Sequence, residues 1–535
     1  MRRGKADRTE GSFSAHKANP MANQAFYITT PIYYCNDVPH IGHAYTTLAC
    51  DVMARFKRLD GFDVKFLTGT DEHGLKVEQA ARDRGVTPQE LVDQVSPRFQ
   101  ELAAAIGATN DDFIRTTEGR HKKAVQHLWQ KLEAAGDIYL DTYEGWYSVR
   151  DEAFYQEGEL QDGPDGKKIA PTGAPVEWVE EESYFFRLSA FEDRLLAYYE
   201  ANPDFLAPKS RLNEVTSFVK GGLRDLSISR TTFEWGVPVP GNNQHIMYVW
   251  IDALTNYLTA IGYPDTDGES YRQYWPEAHH IIGKDILRFH AVYWPAFLMS
   301  ADLPCPKRIF AHGWWTNEGE KISKSLGNVI DPFELMERYG RDQMRYFLMR
   351  EVPFGNDGDF SHEAMVNRMN GELANDLGNL AQRSLSMVAK NCDGAIPTPG
   401  DLSKADQEIL AALDSLLPKV RELMDAQAIN RALEAVWQVV SEANRYFAGE
   451  EPWALKKTDP TRMGTVLYVT AEIIRQISIL VQPIIPDGAG KLLDVLGQQD
   501  RTFAALGPDN RLVPGTAIPK PEGVFPRFID PDSDG

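Results

Sequence analysis

Between Ala25 and Leu67 the hydrophobic pattern changes period twice, and this constrains the fold more than any other feature of the chain. Residues Ala25 to Thr30 form a short apolar, β-prone run, which predicts a buried strand. A loop holding Pro31, Asn36, Asp37 and Pro39 follows. From Ile41 the apolar residues recur at helical spacing, with Ile41, Ala44, Tyr45, Leu48, Val52, Phe56 and Leu59 on one stripe. Gly61 stands where a helix stop is expected, and Val64 to Leu67 reads as a second strand. Strand, crossover helix and strand make a βαβ unit, which requires parallel pairing within an α/β sheet.

The stretch 116–236 interrupts that pattern. It holds two helical segments, then an aromatic, turn-rich region from Tyr139 to Phe186, and it reads as an insertion. Strand-like runs resume at Met247 to Trp250 and at His279 to Ile282, with a helix expected from about Ile286 to Phe297. Beyond Met365 the pattern is helical to about Leu496, and a proline-rich, irregular tail follows. The expected division is an N-terminal extension over 1–21, disordered and outside the fold, and a Rossmann-like first half over 22–115. Then come the insertion over 116–236, the second half over 237–310, a lysine-rich loop region over 311–366, an all-α bundle over 367–497 and a tail over 498–535. No repeat of solenoid length is visible.

Composition excludes several classes. Hydrophobic residues make up 43% and charged residues 25%, so wholesale disorder is excluded. Lys and Arg total 56 against 77 Asp and Glu, a formal charge of -21, which argues against nonspecific coating of nucleic acid. A local surface that docks one folded RNA stays open. The longest apolar stretch, Val466 to Val481, carries Glu472 and Arg475 and reads as a buried bundle helix, so no membrane span is expected. Cys35, Cys50, Cys305 and Cys392 lie far apart, which argues against a disulfide framework and for a reducing, cytoplasmic compartment. The first twenty residues lack the apolar segment of a secretion signal.

Two motifs carry chemistry. The turn Pro39 to His43 lies between the first strand and the first helix, where unpaired backbone N–H groups and the helix dipole favour phosphate. His40 and His43, three apart, can face one ligand, and Gly42 lets a flat group approach the backbone. The second motif is Lys321-Ile-Ser-Lys-Ser325, whose two lysines and two hydroxyls can hold a polyphosphate as its charge grows. Alone, the first could be two solvated histidines and the second a solvated basic turn. Their coincidence, in this order on an α/β chain, is the stronger signal. Asp71, Glu72 and His73 could also be read as metal ligands, but three adjacent side chains on a loop rarely converge on one ion.

With both motifs in view the sequence resembles the class I aminoacyl-tRNA synthetases, whose signatures are HIGH and KMSKS. Four further stretches resemble the methionyl-tRNA synthetases: Tyr27 to Tyr34, Thr68 to Gly74, Tyr248 to Ala253 with Tyr257, and Gly283 to His290. The resemblance runs from about Tyr27 to about Lys457. Ile322 replaces the signature methionine, a change conservative in bulk.

The resemblance implies a Rossmann-like catalytic domain split by a connective insertion and followed by an α-helical anticodon-binding domain. It implies ATP-dependent activation of L-methionine to the adenylate, then transfer to the 3′-terminal ribose of tRNA(Met), initiator tRNA included. His40, Gly42, His43, Gly283, Lys284, Asp285 and Lys324 would bind ATP, which is expected with Mg2+. His40, His43, Lys321 and Lys324 would be catalytic. Asp71 would hold the methionine ammonium, with Ile32, Tyr34, Trp250, Ala253, Tyr257, Phe289 and His290 shaping the side-chain pocket. Asn375, Asn379 and Arg383 fall on one helix face at i, i+4 and i+8, opposite Leu373, Leu377 and Leu380. With Pro452 and Trp453 they resemble the anticodon-reading set.

Many relatives carry a zinc knuckle in the insertion. Here the stretch Gly145 to Glu152 has no cysteine, so no structural zinc is expected, and aromatic packing around Trp146, Tyr147 and Phe154 is expected instead. No appended C-terminal module follows the bundle, which favours a monomer without an obligate protein partner. Two other readings stay open on residues alone. A small nucleotidyltransferase would share the HxGH turn but leave the helical region unexplained. An RNA-binding protein that has lost catalysis would have no need of the intact histidine pair and lysines.

Overall fold

The computed structural model describes residues 24–151, 153–163, 166–321 and 328–530. Its centre is a seven-stranded sheet whose pairings are all parallel. Five strands set its frame: β1 (Ala25–Thr29), β2 (Asp63–Asp71), β3 (Asp112–Arg115), β4 (Ala278–Gly283) and β5 (Arg308–His312). They lie in the order β3-β2-β1-β4-β5, with the short strand Leu206–Ala207 outside β5 and Tyr33–Tyr34 paired to the end of β2. The chain therefore builds outward in one direction through β3, returns to the centre, and builds the other way from β4. Ligands bind such sheets beyond the carboxyl ends of the strands at that reversal, here between β1 and β4.

Helix α1 (Ile41–Leu59) crosses from β1 to β2 as the periodicity predicts. Its burial exceeds a single stripe: Thr46, Thr47, Asp51 and Lys57 are buried with the apolar face. The reason is that α1 packs on the sheet and on the C-terminal bundle at once. One continuous core runs from Phe26 and Ile28 through α1 to the bundle and on to Phe525 in the tail. A second core covers the opposite sheet face. Arg345, wholly buried, sits at the junction and donates to Asp51 Oδ2 (2.8 Å) and to the carbonyls of Ile106 (2.8 Å), Ile484 (2.9 Å) and Pro483 (2.6 Å). At the far end of α1, Lys57 pairs with Asp425 at 2.6 Å.

The structure corrects the sequence reading at several points. The run Met247 to Trp250 is not a strand of the parallel sheet. A strand ends at Met247 in a small antiparallel sheet, and Val249–Leu254 is helical with every residue buried. A short run apolar on all sides carries no period, so strand and buried helix could not be told apart. In the stretch 116–236 one helix precedes the aromatic region and two follow it. The aromatic region is a long antiparallel ribbon pairing Ile138–Ser148 with Glu177–Phe186. The same stretch returns to the central sheet at Leu206–Ala207. Trp146 packs edge-on to Trp178 at 5.5 Å between centroids, Tyr147 is buried, and the Phe154 side chain lies outside the described residues.

The apolar helix Pro460–Val481 is long and apolar enough to cross a membrane, and from Met463 to Val481 every residue is buried in the bundle, where Arg475 pairs with Glu472 at 2.7 Å.

Candidate active site

Helix α1 begins with a capping box made from two histidines. His40 is the N-cap, and its Nδ1 accepts from the Gly42 N–H at 3.1 Å. Reciprocally, His43 Nδ1 accepts from the His40 N–H at 3.1 Å. A backbone N–H can only donate, so both Nδ1 atoms carry lone pairs and each neutral ring carries its proton on Nε2. Burial lowers the pKa of both rings, His43 further than His40, and for His43 the neighbouring His40 adds to the effect. The turn thus offers neutral imidazole donors beside the helix N-terminus. Gly42 is required because a Cβ there would lie 2.9 Å from His40 Cε1.

The flanks of the lysine-rich loop meet this turn. The Ile41 N–H, one of the unpaired donors of the first turn, donates to the Ile330 carbonyl at 3.1 Å. Upstream, Trp315–Asn317 pairs with Glu320–Lys321 as a hairpin stem, and Asn317 Nδ2 donates to the Asn328 carbonyl at 3.0 Å. Ile322, Lys324 and Ser325 lie outside the described residues, as does the side chain of Lys321.

Beside the histidine turn is a cavity of about 400 Å³. Ile32, Tyr34, His40, Gly42, His43, Asp71, Trp250, Ala253, Tyr257, Gly283, Asp285 and His290 all line it. Two expected residues stand back. Phe289 lies flat against Trp250, with 3.8 Å between centroids and 7° between planes, so it backs the indole. Lys284 binds both oxygens of Asp357 at 2.7 and 2.8 Å and sits 4.2 Å over the Trp314 ring. Thr46, Asn256, His312 and Trp314 line the cavity without having been expected. The segment His312 to Trp315, at the carboxyl end of a strand, was the signal available for two of them.

The pocket wall is a set of locked aromatic groups. His290 Nδ1 donates to the Ile286 carbonyl (3.0 Å), leaving Nε2 to accept from the Tyr257 hydroxyl (2.7 Å). Tyr257 is also stacked on His280 at 4.0 Å. The helix carrying Phe289 and His290 makes a wide π-turn over Phe289–Tyr293, which the sequence reading took as regular helix. Below the Asp71 loop, Asp252 accepts from His73 (2.7 Å) and His121 (2.8 Å). Burial alone would raise the Asp252 pKa, but the two imidazoles hold it well below the usual range.

The buried histidines set an acid limit. His290 is pushed down to about 4 by burial, and His280 and His43 fall well below their ordinary value for the same reason. Their folded pKa lies under the unfolded one, so the unfolded chain takes up more protons below about pH 6.5. Stability is therefore fully present above that pH and is lost as the pH falls toward the folded values. His290 alone contributes about 1.4 kcal/mol per pH unit in that window. Urea unfolding at about pH 5 is expected to show a lower midpoint than at about pH 7.5; equal midpoints would contradict the burial argument.

On the bundle, Asn375, Asn379 and Arg383 are exposed while Leu373, Leu377 and Leu380 are buried. Residues Arg368–Gly378 form wide π-turns where a regular helix was expected. Arg383 lies 5.5 Å over Trp453, which is 46% exposed, and Pro452 is buried at the first turn of its helix. Arg527 of the tail donates to Asn375 Oδ1 at 2.8 Å.

A parallel sheet that reverses direction between β1 and β4, with a histidine-capped helix and the flanks of a lysine loop meeting there, is the framework of a class I tRNA synthetase. The family described as tRNA synthetases class I (M) matches residues 26–385, and the anticodon binding domain of methionyl tRNA ligase matches 396–535. The chain belongs to the methionyl-tRNA synthetase family. The methionine–tRNA ligase of Brucella suis is 62% identical over 514 residues, covering 96% of this chain and 99% of the relative. That of Mesorhizobium japonicum is 61% identical, covering 95% and 99%. The Mycobacterium tuberculosis methionyl-tRNA synthetase solved in complex with methionyl-adenylate superposes with a TM-score of 0.92 at 58% identity, covering 94% of this chain and 100% of that one.

Proposed function

We propose that the cleft between β1 and β4 activates methionine and then charges tRNA, each step resting on the groups that line it. As a methionine–tRNA ligase the chain forms methionyl-adenylate, releases pyrophosphate, and passes the methionyl group to the 3′-terminal ribose of tRNA(Met). The observation that carries the residue assignment is the single cavity shared by Asp71, Trp250, Tyr257 and His290 with the histidine turn.

In this reading the Asp71 carboxylate takes the methionine ammonium. The thioether lies among Trp250, backed by Phe289, and Tyr257, where a polarizable sulfur gains from ring contact. The Tyr257–His290 bond leaves that wall neutral and fixed, so it does not compete for the methionine carboxylate. The carboxylate attacks the α-phosphorus of ATP in line, the bond to the bridging oxygen breaks, and pyrophosphate leaves with the electron pair. Nε2–H of His40 and of His43 donate to phosphate oxygens, Gly283 and Asp285 border the nucleotide, and Lys321 and Lys324 bring positive charge to the transition state. Lys284, held by Asp357, acts on the nucleotide through Trp314 and Asp285, to which the indole Nε1 donates at 3.1 Å.

ATP enters as its magnesium complex, the metal neutralising phosphate charge. Asn375, Asn379, Arg383 and Trp453 read the anticodon of initiator and elongator tRNA(Met), amide and guanidinium groups on base edges and the indole under a base. A reducing, cytoplasmic compartment agrees with four free cysteines.

Pyrophosphate exchange with each amino acid supplied separately tests the assignment. Methionine is expected to drive exchange at least about 100-fold faster than leucine or isoleucine, because the pocket offers the thioether contacts those residues cannot make. Comparable exchange with another amino acid would overturn it.

A further inference from the structure

The KISKS loop matters only if its lysines arrive at the phosphates held by the histidine turn, and the described structure contains a side-chain link between the two elements that neither signature includes. Thr46, one turn into α1, has its hydroxyl 2.7 Å from His312 Nε2. His312 ends β5, and the hairpin stem of the loop begins three residues later at Trp315.

The direction of this bond follows from proton bookkeeping. His312 Nδ1 is 2.7 Å from the Gly313 carbonyl, which can only accept, so Nδ1 carries the proton. Burial lowers the His312 pKa, so the ring is neutral and Nε2 is a lone pair. The Thr46 hydroxyl must then donate to it. A second acceptor, the Gly42 carbonyl, stands 3.1 Å from the same hydroxyl. One proton cannot serve both, and the shorter bond to His312 takes it. Side-chain hydroxyls in helices commonly bond back to the i−4 carbonyl; here that proton is directed away from the helix.

What lies beyond His312 is rigid. A Cβ on Gly313 would come within 2.3 Å of the Asn356 backbone, so the chain is pressed against that segment. The Trp314 N–H donates to Asp357 at 2.8 Å, and Trp315–Asn317 pairs in parallel with Gly358–Phe360. The Thr46 bond therefore joins the first turn of α1 to a strand with no slack before the loop stem. On the loop's other side, Ile41 N–H holds Ile330.

We propose that Thr46 and His312 are positioning residues that set the separation between the histidine turn and the stem from which the lysine loop springs, and so govern adenylate formation without binding methionine. This rests on the roles given to Lys321 and Lys324 above. Thr46→Val removes the hydroxyl at nearly constant volume. It is expected to lower kcat for ATP–pyrophosphate exchange by about 10- to 100-fold, the range for a misplaced reacting group. KM for methionine should stay within about two-fold, as expected when only transition-state contacts are lost. Thr46→Ser, which keeps the donor, is expected to restore kcat to within about three-fold of the parent protein.

In a Lys324→Ala background, Thr46→Val should cost less than it does in the parent protein, because one of the two cations it positions is gone. Unchanged kcat in Thr46→Val overturns the proposal, as does an undiminished loss in the Lys324→Ala background. A rise confined to KM for ATP would make Thr46 a direct nucleotide contact and overturn it too. Normal exchange by Lys324→Ala alone would instead refute the role of the lysine. Should Thr46→Val not fold, His312→Gln, which keeps an acceptor, is compared with His312→Met, which does not, and only the latter should lose kcat.

Discussion

Changing Lys324 to alanine is expected to slow methionyl-adenylate formation by about 10²- to 10³-fold, the usual cost of one transition-state donor in a water-poor site. Methionine affinity should move by less than about two-fold, because the ammonium and thioether contacts are assigned in the proposed function to Asp71, Trp250 and Tyr257, which line the cavity. Single-turnover adenylate formation and equilibrium dialysis of methionine separate the two quantities. Equal losses in both would mean that Lys324 binds the ground state, and the division between neutral imidazole donors and cationic lysines would fail. The contrast matters because His40 and His43, with Nδ1 used by the backbone, offer hydrogen bonds without net charge. Charge for the developing pyrophosphate must therefore come from elsewhere.

The second large effect is on stability. Arg345→Leu is expected to cost about 3–5 kcal/mol, the range for removing one partner of a buried ion pair. Arg345 and Asp51 are both wholly buried. Without the guanidinium, Asp51 keeps Arg55 at 2.8 Å and both the N–H and hydroxyl of Thr109 at 2.8 and 2.7 Å. The carbonyls of Ile106, Pro483 and Ile484 lose the donor they share. Urea unfolding followed by intrinsic fluorescence gives the difference. A loss under about 1 kcal/mol would mean that water replaces the guanidinium, in which case the junction is wetter than its burial implies.

Much of the frame was legible from local pattern. The period of Ile41 to Leu59 fixed α1 and, with the runs on either side, the parallel sheet and the place of the cleft. The aromatic and acidic residues lining the cavity were reached through resemblance, and the structure brings them to one cavity. What could not be read depends on partners distant in sequence. Trp250 sits on a buried helix that has no exposed face to mark its period. Thr46 and His312 are separated by more than 260 residues and belong to no shared motif, so only the folded chain pairs them. The π-turns at Phe289 and at Arg368 add one residue per turn without any local sign in composition. Lys284 looked like a nucleotide ligand because of its neighbours; its bond to Asp357, far along the chain, redirects it.

The single core that runs from Phe26 through α1 into the bundle and the tail has a consequence for translation. Because the anticodon-binding bundle and α1 share that core, loosening of the bundle removes packing from the helix whose first turn holds His40 and His43. Damage at the RNA-reading end is therefore expected to reach the histidine turn as well.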